Sequence, residues 1–255
     1  MSEALSVSIH NLDSLSGMID KIPANSIDMI FTDPPYGIKG ETLDVMYNRD
    51  ESRVIPGYID VPLSQYAEWS LSWIQQCERV LRPGGSMYIV SGYTNLHHVL
   101  NALHNTSLNE INHLIAQYSF GVYTKKKWVS SHYHVLFWAK PETSSRKRTF
   151  NTHCIFSDTQ QSYLDRLSVQ KLPRHYKFGE IKNSNQLSEE FIDKYILYSS
   201  SKGETILDPF AGSYSTGFSA VRLGRRFIGF ELNARAHDHF GPQLLEYAAQ
   251  QSTTS

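Results

Sequence analysis

Ser26-Ile27-Asp28-Met29-Ile30-Phe31-Thr32-Asp33-Pro34-Pro35-Tyr36-Gly37 sets the reading of this chain. An apolar run of strand length ends abruptly in a carboxylate, two prolines and an aromatic ring. A second stretch has the same construction: Thr205-Ile206-Leu207-Asp208-Pro209-Phe210-Ala211-Gly212-Ser213. Working outward, short β-type runs at 6–10, 26–32, 86–90, 205–208 and 227–231 alternate with helical patterns at 63–81, 96–103, 187–199, 216–223 and 235–249. In the first of these helices Leu63, Tyr66, Ala67, Trp69, Trp73, Ile74, Cys77 and Leu81 recur at helical spacing. Pro83-Gly84-Gly85 reads as its stop. Residues 115–123 and 133–139 read as an antiparallel pair turning near Lys125–Lys127. Alternation of this kind predicts an α/β fold with a mostly parallel sheet covered by helices. Residues 141–179 show no period and read as an inserted recognition segment rather than a second domain.

Composition bounds the possibilities. With 255 residues, 40% of them hydrophobic, the chain can bury one sizeable core. Cys77 and Cys154 have neither disulfide nor zinc spacing, which suits a reducing cytoplasm. No signal-peptide pattern opens the sequence, and no apolar run approaches membrane-spanning length, so neither export nor a membrane is expected.

In open α/β sheets ligands sit beyond the carboxyl ends of the strands. At the first such end, Pro34 and Pro35 fix φ and remove two backbone donors. The corner therefore offers the Asp33 carboxylate, bare carbonyls and the Tyr36 ring. That set suits a flat ring bearing an amine: Asp33 and the Pro34 carbonyl can each accept one amine hydrogen while Tyr36 stacks. Such acceptors localise the nitrogen lone pair and stabilise the charge that develops as the amine is alkylated. An ordinary Pro-Pro turn explains the same residues equally well in isolation. At the second end, small residues allow close backbone approach and a helix amino terminus follows. Gly217 is followed by Phe218, so neither a dinucleotide nor a triphosphate glycine pattern is present. Glu231, closing the next strand, stands where a ribose-binding acid would be needed.

Read together, these motifs resemble the N4-cytosine/N6-adenine DNA methyltransferases. The resemblance runs from Ile9-His10-Asn11-Leu12-Asp13 through the Asp33-Pro34-Pro35-Tyr36 motif and Arg82-Pro83-Gly84-Gly85. It resumes at Lys182-Asn183 and continues to Gly229-Phe230-Glu231-Leu232-Asn233. The catalytic motif precedes the cofactor motif, similar to the circularly permuted β group of that family. The resemblance implies a Rossmann-like S-adenosylmethionine-dependent methyltransferase with a seven-stranded sheet, one strand of it antiparallel. It implies a single domain over 1–255, a lid at 38–62 and target recognition at 141–180. Asp33, Pro34, Pro35 and Tyr36 match the catalytic motif. Asp13, Asp33, Lys182, Asn183, Asn185, Asp208, Pro209, Phe210, Ala211, Gly212, Ser213, Thr216, Glu231, Leu232 and Asn233 match the cofactor-binding positions. Tyr214 departs from the pattern by standing where most members have a second glycine, and Asn183 by standing where proline is common. The implied substrate is double-stranded DNA, with adenine N6 favoured by aspartate at the head of the motif. Cytosine N4, a structured RNA and an inactive nucleic-acid-binding homologue are the alternatives. The resemblance leaves open a homodimer and a partner restriction endonuclease.

The net charge of −1 conceals an asymmetry: residues 125–182 carry +8 and the rest −9. Lys125, Lys126, Lys127, Arg146, Lys147, Arg148 and Arg174, with Lys39 and Arg49 in the expected lid, are candidate phosphate contacts. Trp128, Tyr133, Phe150, Tyr163, Tyr176 and Phe178 are interleaved with them and could wedge or stack. His132/His134 and His97-His98 lack a third ligand, so no metal is expected. Trp69 and Trp73 read as core.

Overall fold

A computed structural model describes residues 6–38, 60–119, 125–152, 162–172 and 187–253. Its strands are β1 (Val7–His10), β2 (Ile27–Thr32), β3 (Leu81–Ser91), β4 (Asn109–Gln117), β5 (His132–Ala139), β6 (Val169–Lys171), β7 (Thr205–Asp208) and β8 (Arg226–Phe230). They form one sheet in the order β1-β8-β7-β2-β3-β5-β4-β6. Every neighbouring pair is parallel except β3/β5 and β5/β4, so β5 alone runs backwards. The helices are α1 (Ser14–Lys21), α2 (Leu63–Val80), α3 (Leu96–His104), α4 (Ser162–Asp165), α5 (Glu189–Ser199), α6 (Ser215–Arg222) and α7 (Ala234–Thr253).

Strand alternation divides the interior in two. Met29, Phe31, Tyr88, Val90, Ile206 and Phe227 face α5, α6 and α7. Ile30, Met87, Ile89, Leu207 and Phe230 face α1, α2 and α3. The central strands are covered on both sides, which explains why they read as unbroken apolar runs.

Several expectations are corrected. Pro83-Gly84-Gly85 lies inside β3, which begins at Leu81 directly after α2. The β2–β3 register slips there, from Ile27↔Leu81 to Met29↔Ser86, and Gly84 takes φ +71°. A bulge absorbs the glycines into the strand, and α2 ends before them at Val80, so they are not its stop. The first strand of the antiparallel pair starts at Asn109, six residues earlier than the pattern suggested. Its outer residues are polar, which blurred the alternation. α1 was not foreseen: Leu15, Met18, Ile19 and Ile22 recur at helical spacing, but the helix is only eight residues long. The eighth strand, β6, and α4 both fall in the stretch that showed no period. Three residues of edge strand are too few to write one.

Candidate active site

The strands β1, β8, β7 and β2 are successive parallel neighbours, so their carboxyl ends share one edge of the sheet. A pocket of about 160 Å3 opens there. Asp33 and Pro35 line it beyond β2, Pro209, Phe210 and Gly212 beyond β7, Glu231, Leu232 and Asn233 beyond β8, and Leu12 and Asp13 beyond β1. The two motifs that the sequence set far apart thus meet around one cavity.

The loop after β2 is held from three sides. Tyr66 of α2 donates its hydroxyl hydrogen to the Pro35 carbonyl at 2.9 Å. Asn95, just before α3, donates to the Tyr36 carbonyl at 2.7 Å and to that of Gly37 at 3.2 Å. Asp60 accepts the Gly37 N–H at 2.9 Å. Gly37 has φ +66°, and a Cβ there would fall 2.6 Å from the Tyr66 ring, so only glycine fits this corner. Pro34 is buried and is not among the residues that line the pocket, whereas Asp33 is, and the Tyr36 hydroxyl donates to Asp33 Oδ1 at 2.5 Å. Burial raises the Asp33 pKa to about 7, with the Tyr36 bond opposing the rise and Asp208 adding repulsion.

The second loop is organised by its acids. Asp208 is buried and accepts from Thr32 Oγ1 at 2.8 Å, Thr216 Oγ1 at 2.7 Å and the Phe210 N–H at 3.1 Å. Its carboxylate therefore braces β2, β7 and α6 and lies behind the pocket wall. Thr216 is committed to the same brace. The Ser213 hydroxyl meets that of Ser215 at 3.1 Å, and both serines are buried. Glu231 does reach the cavity, where its oxygens accept the N–H groups of Gly212 and Asn233, each at 2.7 Å. Burial raises its pKa to about 7 against those two bonds, and that of Asp208 to about 6. Asp13 caps α1 through Ser16 N at 3.1 Å while lining the pocket. Tyr214, where a glycine was expected, takes the left-handed conformation (φ +59°) that glycine would favour. Its ring is fully buried and its hydroxyl hydrogen-bonds His237 Nδ1 at 2.7 Å.

Three contributors went unrecognised in the sequence. Trp69, assigned to the core, lines the pocket and packs on Phe210 with ring centroids 5.4 Å apart. Helical spacing could not separate it from Trp73, which is buried. Asn95 precedes a helix and so resembles a cap, yet its side chain does not cap that helix. Asn11 donates to the carbonyls of Glu231 at 2.7 Å and Leu232 at 3.2 Å, tying β1 to the β8 tip.

The basic residues do not form one surface. Lys125, Lys126 and Lys127 are exposed at the carboxyl edge, where Lys127 Nζ donates to Tyr93 Oη at 3.4 Å. Arg146, Lys147 and Arg148 sit at the other end of the sheet, because the chain leaves β5 beside Ser86 and not beside Ser91. Those two levels are about 17 Å of strand apart. Arg148 lies over the Phe137 and Phe150 rings, and Lys147 Nζ pairs with Glu142 at 3.3 Å. Their expected place on the same surface as Lys125–Lys127 is thereby corrected. Lys39, Arg49, Arg174, Lys182, Asn183 and Asn185 lie outside the described residues, as does most of the expected lid. Among the described residues no cluster of His, Cys, Asp or Glu could hold a metal ion, and no helix is long and apolar enough to cross a membrane.

A doubly wound sheet with a pocket across four parallel strand tips defines a Rossmann-like α/β protein. Comparison narrows the class: the chain belongs to the DNA methylase family, whose model matches residues 27–241. It is 31% identical to the DNA adenine methyltransferase YhdJ of Escherichia coli, across 92% of this chain and 81% of that one. The TTHA0409 protein of Thermus thermophilus, complexed with S-adenosyl-L-methionine, shares the fold at TM-score 0.68 and 18% identity, covering 95% of this chain and 96% of that one. The cytosine-N4-specific PvuII DNA methyltransferase does so at TM-score 0.68 and 15% identity, covering 98% and 94%.

Proposed function

We propose that this chain, acting as one catalytic unit, methylates the N6 amine of adenine in double-stranded DNA, with S-adenosyl-L-methionine as donor. The observation that carries the proposal is the shared cavity: Asp33 faces the same pocket as Phe210, Gly212 and Glu231. The pocket chemistry fits this cofactor. Asp33 and Glu231 lie in its wall and no lysine or arginine is among its described lining residues, so the cavity favours a cation. Trp69, Phe210 and Leu232 offer apolar faces to an adenine ring, and Glu231 keeps lone pairs free for ribose hydroxyls. When bound, the cofactor supplies an electrophilic methyl group on a sulfonium centre.

The chain's own residues prepare the amine. A base in a duplex hides its amine in the stack and must swing out to reach the cavity. The Asp33 carboxylate and the Pro34 carbonyl then accept one amine hydrogen each. The Tyr36 hydroxyl occupies Asp33 Oδ1 alone, so Oδ2 keeps its lone pairs for the amine while the Tyr36 ring stacks on the base. The two acceptors hold the lone pair out of conjugation and stabilise positive charge as the C–N bond forms. With its pKa near 7, Asp33 is basic enough to take the surplus proton. Asp13, Pro209, Ala211, Ser213, Asn233 and the Asp208–Thr216 brace shape the cofactor side of the cavity. The choice of adenine rests on the aspartate heading the motif and on the adenine-specific relative. A restriction endonuclease partner and a second copy of the chain remain compatible with this reading.

Incubation with duplex DNA and isotopically labelled S-adenosyl-L-methionine, followed by mass spectrometry of the nucleosides, tests the proposal. Labelled N6-methyladenine is the expected product. Labelled N4-methylcytosine would reassign the base, and no labelled nucleoside would reject the activity.

A further inference from the structure

Trp128 is 94% exposed, the extreme among the large apolar side chains described. It has no ring or cation partner among the described residues. A lone exposed apolar side chain is ordinary on a protein surface, so the weight falls on what stands beside it. Trp128 directly follows the exposed run Lys125-Lys126-Lys127, three cations suited to a phosphate backbone.

The position of this loop relative to the site is fixed by contacts. Lys127 and Ser130 both reach the Tyr93 hydroxyl. Tyr93 follows Gly92, against which the Tyr36 ring packs: a Cβ on Gly92 would stand 3.4 Å from that ring. Two residues beyond Tyr93, Asn95 holds the Tyr36 carbonyl. At the end of the loop, Tyr133 packs on Tyr36 with centroids 6.3 Å apart. The lysine–tryptophan loop and the Asp33–Tyr36 motif therefore stand on one rim of the crevice. Of the other aromatics interleaved with basic residues, Tyr133 packs into the wall against Tyr118, and Phe150 packs on Tyr198 at the far end of the sheet. Tyr163 is exposed but lies on α4, two residues before the Asp165 carboxylate that holds the same Tyr198 hydroxyl, and Tyr176 and Phe178 lie outside the described residues.

We propose that Trp128 is a wedge that enters the duplex beside the target and occupies the stack position vacated by the extruded base, while Lys125–Lys127 hold the flanking phosphates. This rests on the reading of the chain as a duplex-DNA base methyltransferase. An indole has the bicyclic outline of a purine, so it restores stacking best where a purine has left. The wedge thus acts on extrusion and positioning, and leaves methyl transfer itself to the Asp33 motif.

The test compares wild type, Trp128→Phe and Trp128→Ala on matched duplexes and on duplexes whose target adenine faces an abasic site, where extrusion needs little help. On the matched duplex Trp128→Ala should lower kcat/KM by about 10- to 100-fold, the loss expected for one base–aromatic stack, with Trp128→Phe in between. On the abasic duplex the deficit should shrink to about 3-fold or less. A 2-aminopurine at the target position should brighten on binding wild type and much less on binding Trp128→Ala. Matched duplex should also protect wild-type fluorescence from acrylamide, since the most accessible indole becomes covered. Equal activity of the alanine variant on matched duplex, or equal deficits on both duplexes, would overturn the wedge. If wild type methylates neither duplex, the functional reading itself fails, and the wedge with it.

Discussion

Asp33 and Glu231 line one cavity with Asp208 behind its wall, and each is raised above the ordinary carboxylate range by burial, to about 7, 7 and 6 respectively. A carboxyl group whose pKa is higher in the folded than in the unfolded chain binds more protons when folded. Stability of the ligand-free protein should therefore be greatest on the acid side and decline as pH rises from about 4 toward 7. Thermal melts across this range should show the decline, and the Asp33→Asn, Glu231→Gln double variant should flatten it. Binding of the cationic cofactor has the opposite sense. Calorimetry should find affinity rising with pH through about 7 as Asp33 and Glu231 ionise, and a flat profile would remove them from its surroundings. Asp33→Ala should abolish methyl transfer, measured as labelled methyl in DNA, while leaving cofactor affinity within about 10-fold.

At the scale of elements, the reacting corner is shaped by neighbours more than by its own sequence. Asn95 fixes two carbonyls of the motif loop from the start of α3. Asn95→Ala should lower kcat by about 10-fold or more with little change in cofactor affinity, because the loop loses position and the cofactor side of the cavity is untouched. Equal losses in both quantities would point to general disruption. Tyr214 poses a different balance. Its left-handed backbone costs about 1–2 kcal/mol, which Tyr214→Gly would relieve. The same change empties a buried ring site, at about 3–5 kcal/mol, and removes the bond to His237. Net destabilisation of a few kcal/mol is expected in urea melts, with Tyr214→Phe losing only about 1 kcal/mol.

Across the whole molecule, the two ends of the sheet have separate duties. Opposite the pocket, Arg82 bridges Asp28 at 2.5 Å and Glu204 at 3.1 Å, joining the amino ends of β2, β3 and β7. All three side chains are largely buried. Arg82→Ala would strand Asp28, and a loss of about 3–5 kcal/mol is expected in denaturant unfolding. DNA should meet the carboxyl edge alone. Neutralising each of Lys125–Lys127 should lower the slope of log affinity against log salt by about 0.9, whereas Arg146→Ala and Lys147→Ala should leave it unchanged. A reduced slope in the latter pair would extend the DNA surface around the molecule.

Long-run pattern was legible in the amino-acid sequence. The central strands, the major helices and the two proline-marked corners all announce themselves, because burial on both faces demands unbroken apolar runs and sharp turns demand proline and glycine. The first corner and the tip of β8 also carry the chemical identity of the site, in Asp33, Tyr36 and Glu231. Edge strand β6, the bulge that keeps Pro83-Gly84-Gly85 inside β3, and the pocket role of Trp69 were settled only by folding, since each depends on a partner far along the chain. The same holds for charge. A count along the sequence merged Lys125–Lys127 with Arg146–Arg148, but the intervening strand carries the chain from one end of the sheet to the other. Sequence distance fixes which residues exist near one another in the chain, whereas strand direction decides which of them face the same ligand.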